Sequence, residues 1–226
     1  MVDLSLPVAV VVVTGMTMAL TSGAVLARLP EPAEPDGKTA YRALATPTFV
    51  LACAGLAAVA QLVALTTLPR SVLPLWTVLA TVGVLLAAID ARTTWLPLVL
   101  TRGGWALMVV ALGLSLLLGL TLVDVARSAA GAAVAGLLYL LMWRATRGGF
   151  GFGDVRFAPL LGAATAGQSW TLLVWGLVLG SVTGAVHGAV RLVAGRRGGF
   201  PYAPSMLAGS YLAAVGLQLL LGRPTP

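Results

Sequence analysis

No charge interrupts Leu6–Ala27. Coiled as a helix at ~1.5 Å per residue, a stretch of that length crosses a hydrocarbon core ~30 Å thick. Comparable apolar segments recur at Ala43–Thr67, Val72–Ile89, Trp105–Leu120, Val123–Trp143, Trp170–Val193 and Pro204–Leu221. In lipid the backbone has no water to bond to, so such segments must satisfy their own N–H and C=O groups as helices. Only 9% of the residues are charged, against about a quarter in soluble domains. The 27 glycines suit close helix packing in a bilayer. The expected fold class is therefore an all-α polytopic membrane protein of about eight transmembrane helices with short loops, forming one integral membrane domain over 1–226. Asp3 is the only charge in the first 27 residues. A basic n-region is thus missing, and the first segment reads as a membrane helix instead of a cleaved signal.

Segment six is short. Val155–Ala166 holds about a dozen residues, ~18 Å of helix. If it crosses and the N-terminus lies outside, Arg28, Lys38, Arg42, Arg92, Arg102, Arg144, Arg147, Arg156, Arg191, Arg196 and Arg197 face the cytoplasm. Arg70, Arg127 and Arg223 then face outward, a split of 11 to 3. If it re-enters instead, the split falls to 9 against 5. The positive-inside rule favours eight crossings. Either arrangement sets Asp90 and Asp154 at the cytoplasmic face.

The same rule accounts for the net charge of +7, since no basic run exceeds Arg196-Arg197. Nucleic acid is not an expected partner; the lipid bilayer is. Cys53 is the only cysteine, which leaves no internal disulfide and no cysteine-based zinc site. It reads as a packing residue. His187, the only histidine, stands among small residues and reads as packed or interhelical, and the tryptophans are scattered, several near segment ends as interfacial anchors would be.

The chemistry-bearing stretch is Gly148-Gly149-Phe150-Gly151-Phe152-Gly153-Asp154-Val155-Arg156. Gly151 and Gly153 shape the chain beside Asp154. Asp90 closes another apolar segment, in Ala88-Ile89-Asp90-Ala91-Arg92. Ionisable residues at membrane segment ends are functional candidates. Two aspartates that meet share one proton, because the first charge opposes the second ionisation. Such a pair can activate water and protonate an amide. Each aspartate alone could be a solvated helix end; Asp124 reads as a first-turn helix residue of that kind, and Asp3 as a solvated terminus. The glycine stretch lacks the Gly-Lys-Ser/Thr ending of a phosphate loop. Arg156 either holds Asp154 ionised, binds substrate backbone, or anchors the cytoplasmic face. A transporter or proton relay using Asp90 and Asp154 is the rival class, although no internal repeat supports it. A small assembly protein without chemistry is a third.

Gly151-Phe152-Gly153-Asp154-Val155-Arg156 resembles the G-x-G-D-V-K signature of type IV prepilin peptidases, relatives of the GxGD intramembrane aspartyl proteases. Three further stretches resemble that family in order. They are Ser22-Gly23 through Arg28-Leu29-Pro30, then Asp90-Ala91-Arg92 with Leu96-Pro97, then Phe200-Pro201-Tyr202-Ala203-Pro204 through Gly209. The resemblance implies Asp90 and Asp154 as the catalytic pair, with Pro97, Pro201 and Pro204 shaping the site. It implies cleavage of a prepilin or pseudopilin after its short basic leader, in a bacterial cytoplasmic membrane. No cofactor is implied for proteolysis. N-methylation from S-adenosylmethionine goes with larger family members and is left open here. Those members carry a cytoplasmic domain, often with four zinc-binding cysteines, where this chain has only Arg28–Arg42. Arg156 replaces the usual lysine, and Tyr202-Ala203 replaces Phe-Gly.

Overall fold

The computed structural model describes residues 5–31, 39–147, 151–195 and 199–222. The glycine pair at 148–149, Phe150, the proline-rich stretch at 32–38 and Arg196-Arg197 lie outside them. Eight helices follow the apolar segments in order: α1 Ser5–Arg28, α2 Pro47–Thr67, α3 Arg70–Thr93, α4 Leu98–Leu117, α5 Leu122–Ala145, α6 Phe152–Gln168, α7 Trp170–Val193 and α8 Ala203–Leu221. All except α6 are long and apolar enough to cross a membrane. A 3₁₀ turn at Tyr41–Leu44 precedes α2.

Two boundaries differ from the sequence expectation. Helix α4 starts at Leu98, so Thr101-Arg102-Gly103-Gly104 is helical and not a loop. The reason is packing. A Cβ at Gly104 would stand 3.1 Å from both Leu160 and Val82, so the glycine brings α4 close to α6 and α3. Helix α6 starts at Phe152, with Gly151 extended as its N-cap. Gly153 and Asp154 therefore belong to its first turn. At 17 residues α6 reaches about 26 Å, longer than the dozen-residue expectation.

Helix α6 is the centre of the bundle, with 12 of its residues buried. It lies along α5 at backbone contact: a Cβ at Gly131 would fall 2.6 Å from the Gly162 carbonyl oxygen. Ser128 Oγ adds a 2.8 Å hydrogen bond to the Ala163 carbonyl. Pro159 interrupts the α6 ladder, and its ring faces Gly136 of α5. Helices α7 and α8 pair in the same way, through Gly176, Gly180 and Gly209, with Thr183 Oγ1 donating to the Ser205 carbonyl at 3.0 Å. Cys53 is buried between α1 and α2, as expected of a packing residue.

Helix α3 is buried along most of its length and contains a π-turn at Leu79–Gly83, a feature that recurs at functional sites. Trp76 on this helix is not among the tryptophans at a membrane interface. It is fully buried, with its indole N–H donating to the Ala164 carbonyl at 3.2 Å, so it is no interfacial anchor.

Asp124 caps the first turn of α5 as expected, exchanging hydrogen bonds with Thr121. It also pairs with Arg127 at 2.7 Å. Arg127 does more than anchor a membrane face. Its guanidinium donates to the carbonyls of Ala166, Gly167 and Gln168 at 2.6, 2.7 and 3.0 Å. These are carbonyls at the C-terminal end of α6, where the intrahelical ladder runs out. Lysine lacks the planar fork needed to bind three at once. Arg127→Lys and Arg127→Ala are each expected to lower the melting midpoint in detergent by roughly 5 °C. A midpoint equal to wild type for Arg127→Ala would contradict this role.

Candidate active site

Asp90 lies in the last turn of α3. That turn closes on Thr94, a β-branched residue in the left-handed region at φ 56°, whose N–H donates to the Asp90 carbonyl at 2.7 Å. Such a conformation is costly for threonine and reverses the chain toward Leu96 and Pro97. Thr93 Oγ1 donates to the Ile89 carbonyl at 2.9 Å and accepts from the Trp95 N–H at 3.1 Å, which holds the reversal. Pro97 is then the N-cap residue of α4.

Asp154 enters from α6. A Cβ on Gly153 would stand 2.9 Å from that of Leu96, so the glycine lets the loop after Asp90 lie directly on the turn that carries Asp154. The two aspartates, remote in sequence, become neighbours through this contact. Both are buried, Asp90 at 4% exposure and Asp154 at 5%. Both line one cleft of about 580 Å³, close enough for their charges to interact.

Their surroundings differ. Asp90 Oδ2 accepts a 3.0 Å hydrogen bond from the Ala203 N–H, the first amide of α8. Helix α8 has no side-chain cap of its own, so Asp90 supplies the negative group its N-terminus lacks. Pro204 follows at the second helical position, where a missing N–H costs nothing. Asp154 Oδ1 is buried and meets no hydrogen-bond donor among the described residues.

Of the expected site residues, Asp90, Asp154, Gly151, Gly153, Arg156 and Pro97 all line the cleft. Pro201 and Pro204 do not; they flank Tyr202-Ala203 on the segment that delivers the Ala203 N–H to Asp90. The Arg156 guanidinium lies 4.7 Å from the Phe152 ring centroid, and among the described residues it makes no ion pair with Asp154. His187 packs its ring 5.0 Å from that of Phe200, away from the cleft lining. Tyr202 of the same late block is seated against Gly184 of α7, where a side chain would overlap its ring. Among the described residues no group of three His, Cys, Asp or Glu side chains could hold a metal ion.

The sequence reading missed Glu31 and Tyr41, which form a further wall of the cleft. Glu31 lies beside Glu34 and Asp36 in a proline-rich stretch and has the composition of a solvated loop. Its one signal is that it directly follows Arg28-Leu29-Pro30.

The profile of the type IV leader peptidase family matches residues 77–189, half of the chain. The chain belongs to the type IV leader peptidase family. No curated protein and no solved structure matches it. The matched residues include both Asp90 and Asp154. The first-helix and late blocks fall outside the match, yet the fold brings both to the same end of the bundle: Glu31 borders the cleft and Ala203 binds Asp90. The peptidase is thus a multi-pass membrane protease whose buried aspartates open on one cleft.

Gly151 bears directly on the geometry. A Cβ there would stand 2.9 Å from Asp154 Oδ2. Gly151→Ala is expected to push the carboxyl aside and to cut turnover by about 10²-fold, because ångström-scale misplacement of a reacting group costs that much. The melting midpoint is expected to stay at the wild-type value, since Gly151 is exposed. Undiminished turnover would show that Asp154 does not need its present position.

Proposed function

We propose that this peptidase is an intramembrane aspartyl endopeptidase, with Asp90 and Asp154 as its catalytic pair. It removes the short basic leader from type IV prepilins or pseudopilins at the cytoplasmic face of a bacterial inner membrane. One observation carries the reading: two buried aspartates, from the end of α3 and the start of α6, line a single cleft.

The asymmetry of the pair supports a division of labour. Asp90, bonded to the α8 N-terminus, is the carboxylate and general base. Asp154, with an oxygen that no donor among the described residues reaches, carries the shared proton. Asp90 takes a proton from water as the water oxygen bonds to the scissile carbonyl carbon. Asp154 gives its proton to the carbonyl oxygen, producing a neutral diol. The C–N bond then breaks, Asp90 returns its proton to the departing nitrogen, and Asp154 recovers a proton from the collapsing diol. The scheme draws on no cofactor. The cleft wall made by Arg156 and Phe152 contacts the peptide backbone, and N-methylation stays outside the scheme.

Co-expression with a panel of type IV prepilins and pseudopilins tests the proposal. The expected result is a smaller pilin on a gel, whose new N-terminus begins just after the leader. Wild-type protein that is present in the membrane yet cuts none of the panel contradicts the proposal and favours a proton-relay role for the pair.

A further inference from the structure

Tyr41 is a cleft residue that the scheme above does not use. It is 4% exposed and packs with Leu26, Leu29, Leu44 and Ile89, yet it borders the same cavity as the aspartates. Its backbone is tied down: Glu31 Oε2 accepts from the Tyr41 N–H at 2.9 Å, and Oε1 accepts from the Arg42 N–H at 3.1 Å. A carboxylate thus caps the 3₁₀ turn and fixes where the phenol stands. The Tyr41 hydroxyl itself makes no hydrogen bond among the described residues. Burial, with the charges of Glu31 and Asp90 nearby, pushes its pKa up to about 12. The group is therefore a neutral O–H donor across the working pH range.

Thr94 Oγ1 is engaged, donating to the Thr93 carbonyl at 2.7 Å, and the Arg156 guanidinium lies over Phe152 on the wall assigned to the peptide backbone. When water attacks a peptide carbonyl, the oxygen gains negative charge, and preorganised donors aimed at it accelerate the step. Asp154 offers one proton.

We propose that Tyr41 is a further catalytic residue, whose hydroxyl donates a hydrogen bond to the scissile carbonyl oxygen as charge develops there. The inference rests on the aspartyl reading above. The phenol keeps its own proton, so the bonds made and broken are those already described. The packing of the ring in the α1–α3 cluster is separate from this role, and Phe at position 41 preserves it.

The test is turnover of a synthetic peptide spanning the cleavage site of a prepilin that wild type cuts, with purified wild type, Tyr41→Phe and Asp90→Asn. Tyr41→Phe is expected to lower kcat by about 10²-fold with KM little changed, because the bond strengthens only in the transition state. Its melting midpoint and the shape of its pH profile are expected to match wild type, which a structural role would not allow. If Tyr41→Phe turns over at the wild-type rate, or raises KM alone, while Asp90→Asn is inactive, Tyr41 is not catalytic and the aspartyl reading stands. If Asp90→Asn also turns over, the aspartyl reading itself fails.

Discussion

Asp90→Asn is expected to abolish cleavage while leaving the peptidase folded. The asparagine carbonyl oxygen can still accept from the Ala203 N–H, so the α8 N-terminus keeps a partner in the position that Oδ2 now occupies at 3.0 Å. The amide cannot take a proton from water. General-base catalysis contributes about 10²–10⁴-fold, and the loss lies at or above the upper figure because the two carboxyls act as a unit. Asp90→Ala should behave differently. It leaves a buried amide unpaired at a cost of about 1–3 kcal/mol, so it lowers the melting midpoint as well as the rate. Measuring melting midpoint and cleavage for both variants separates the chemical role of Asp90 from its capping role. Asp90→Asn that cuts at the wild-type rate would leave Asp90 as a cap alone.

Gly162→Val is expected to remove folded protein from the membrane. A Cβ at position 162 would overlap the Gly131 carbonyl oxygen and stand 2.7 Å from Ala135 Cβ. The obstacle is backbone and cannot rotate away, so α5 and α6 must separate. Ordinary overpacking costs about 1–3 kcal/mol, and this site lies at or beyond the top of that range. Close approach through small residues is also what holds membrane helices together. Gly55→Val is the control, since nothing among the described residues lies within 4 Å of its added carbon. Size-exclusion profiles in detergent should show aggregate or no peak for Gly162→Val and a sharp peak for Gly55→Val. Two sharp peaks would mean that the α5–α6 contact is looser than its geometry implies.

The helix order was legible because a bilayer imposes long apolar segments, and composition alone exposes them. Asp90 and Asp154 stood out because charge is scarce in such segments. What stayed hidden used groups that sequence patterns do not report. The Asp90–Ala203 bond joins a side chain to a backbone amide 113 residues away. Glu31 had the look of a solvated loop residue, while its carboxylate in fact organises Tyr41 and Arg42. Gly104 and Gly153 fell outside the apolar segments, yet in α4 and α6 they mark close approaches inside helices. Trp76 followed no interfacial rule, because a carbonyl of α6 satisfies its N–H inside the bundle.

The most direct test of the paired-aspartate account compares wild type, Asp90→Asn, Asp154→Asn and the double variant at equal membrane levels, by single-turnover cleavage of one prepilin. If the two share one reaction, either single change brings the rate to background and the double change lowers it no further. A single variant that keeps a substantial fraction of the wild-type rate, or a double variant whose loss is the product of two partial ones, would contradict the pair.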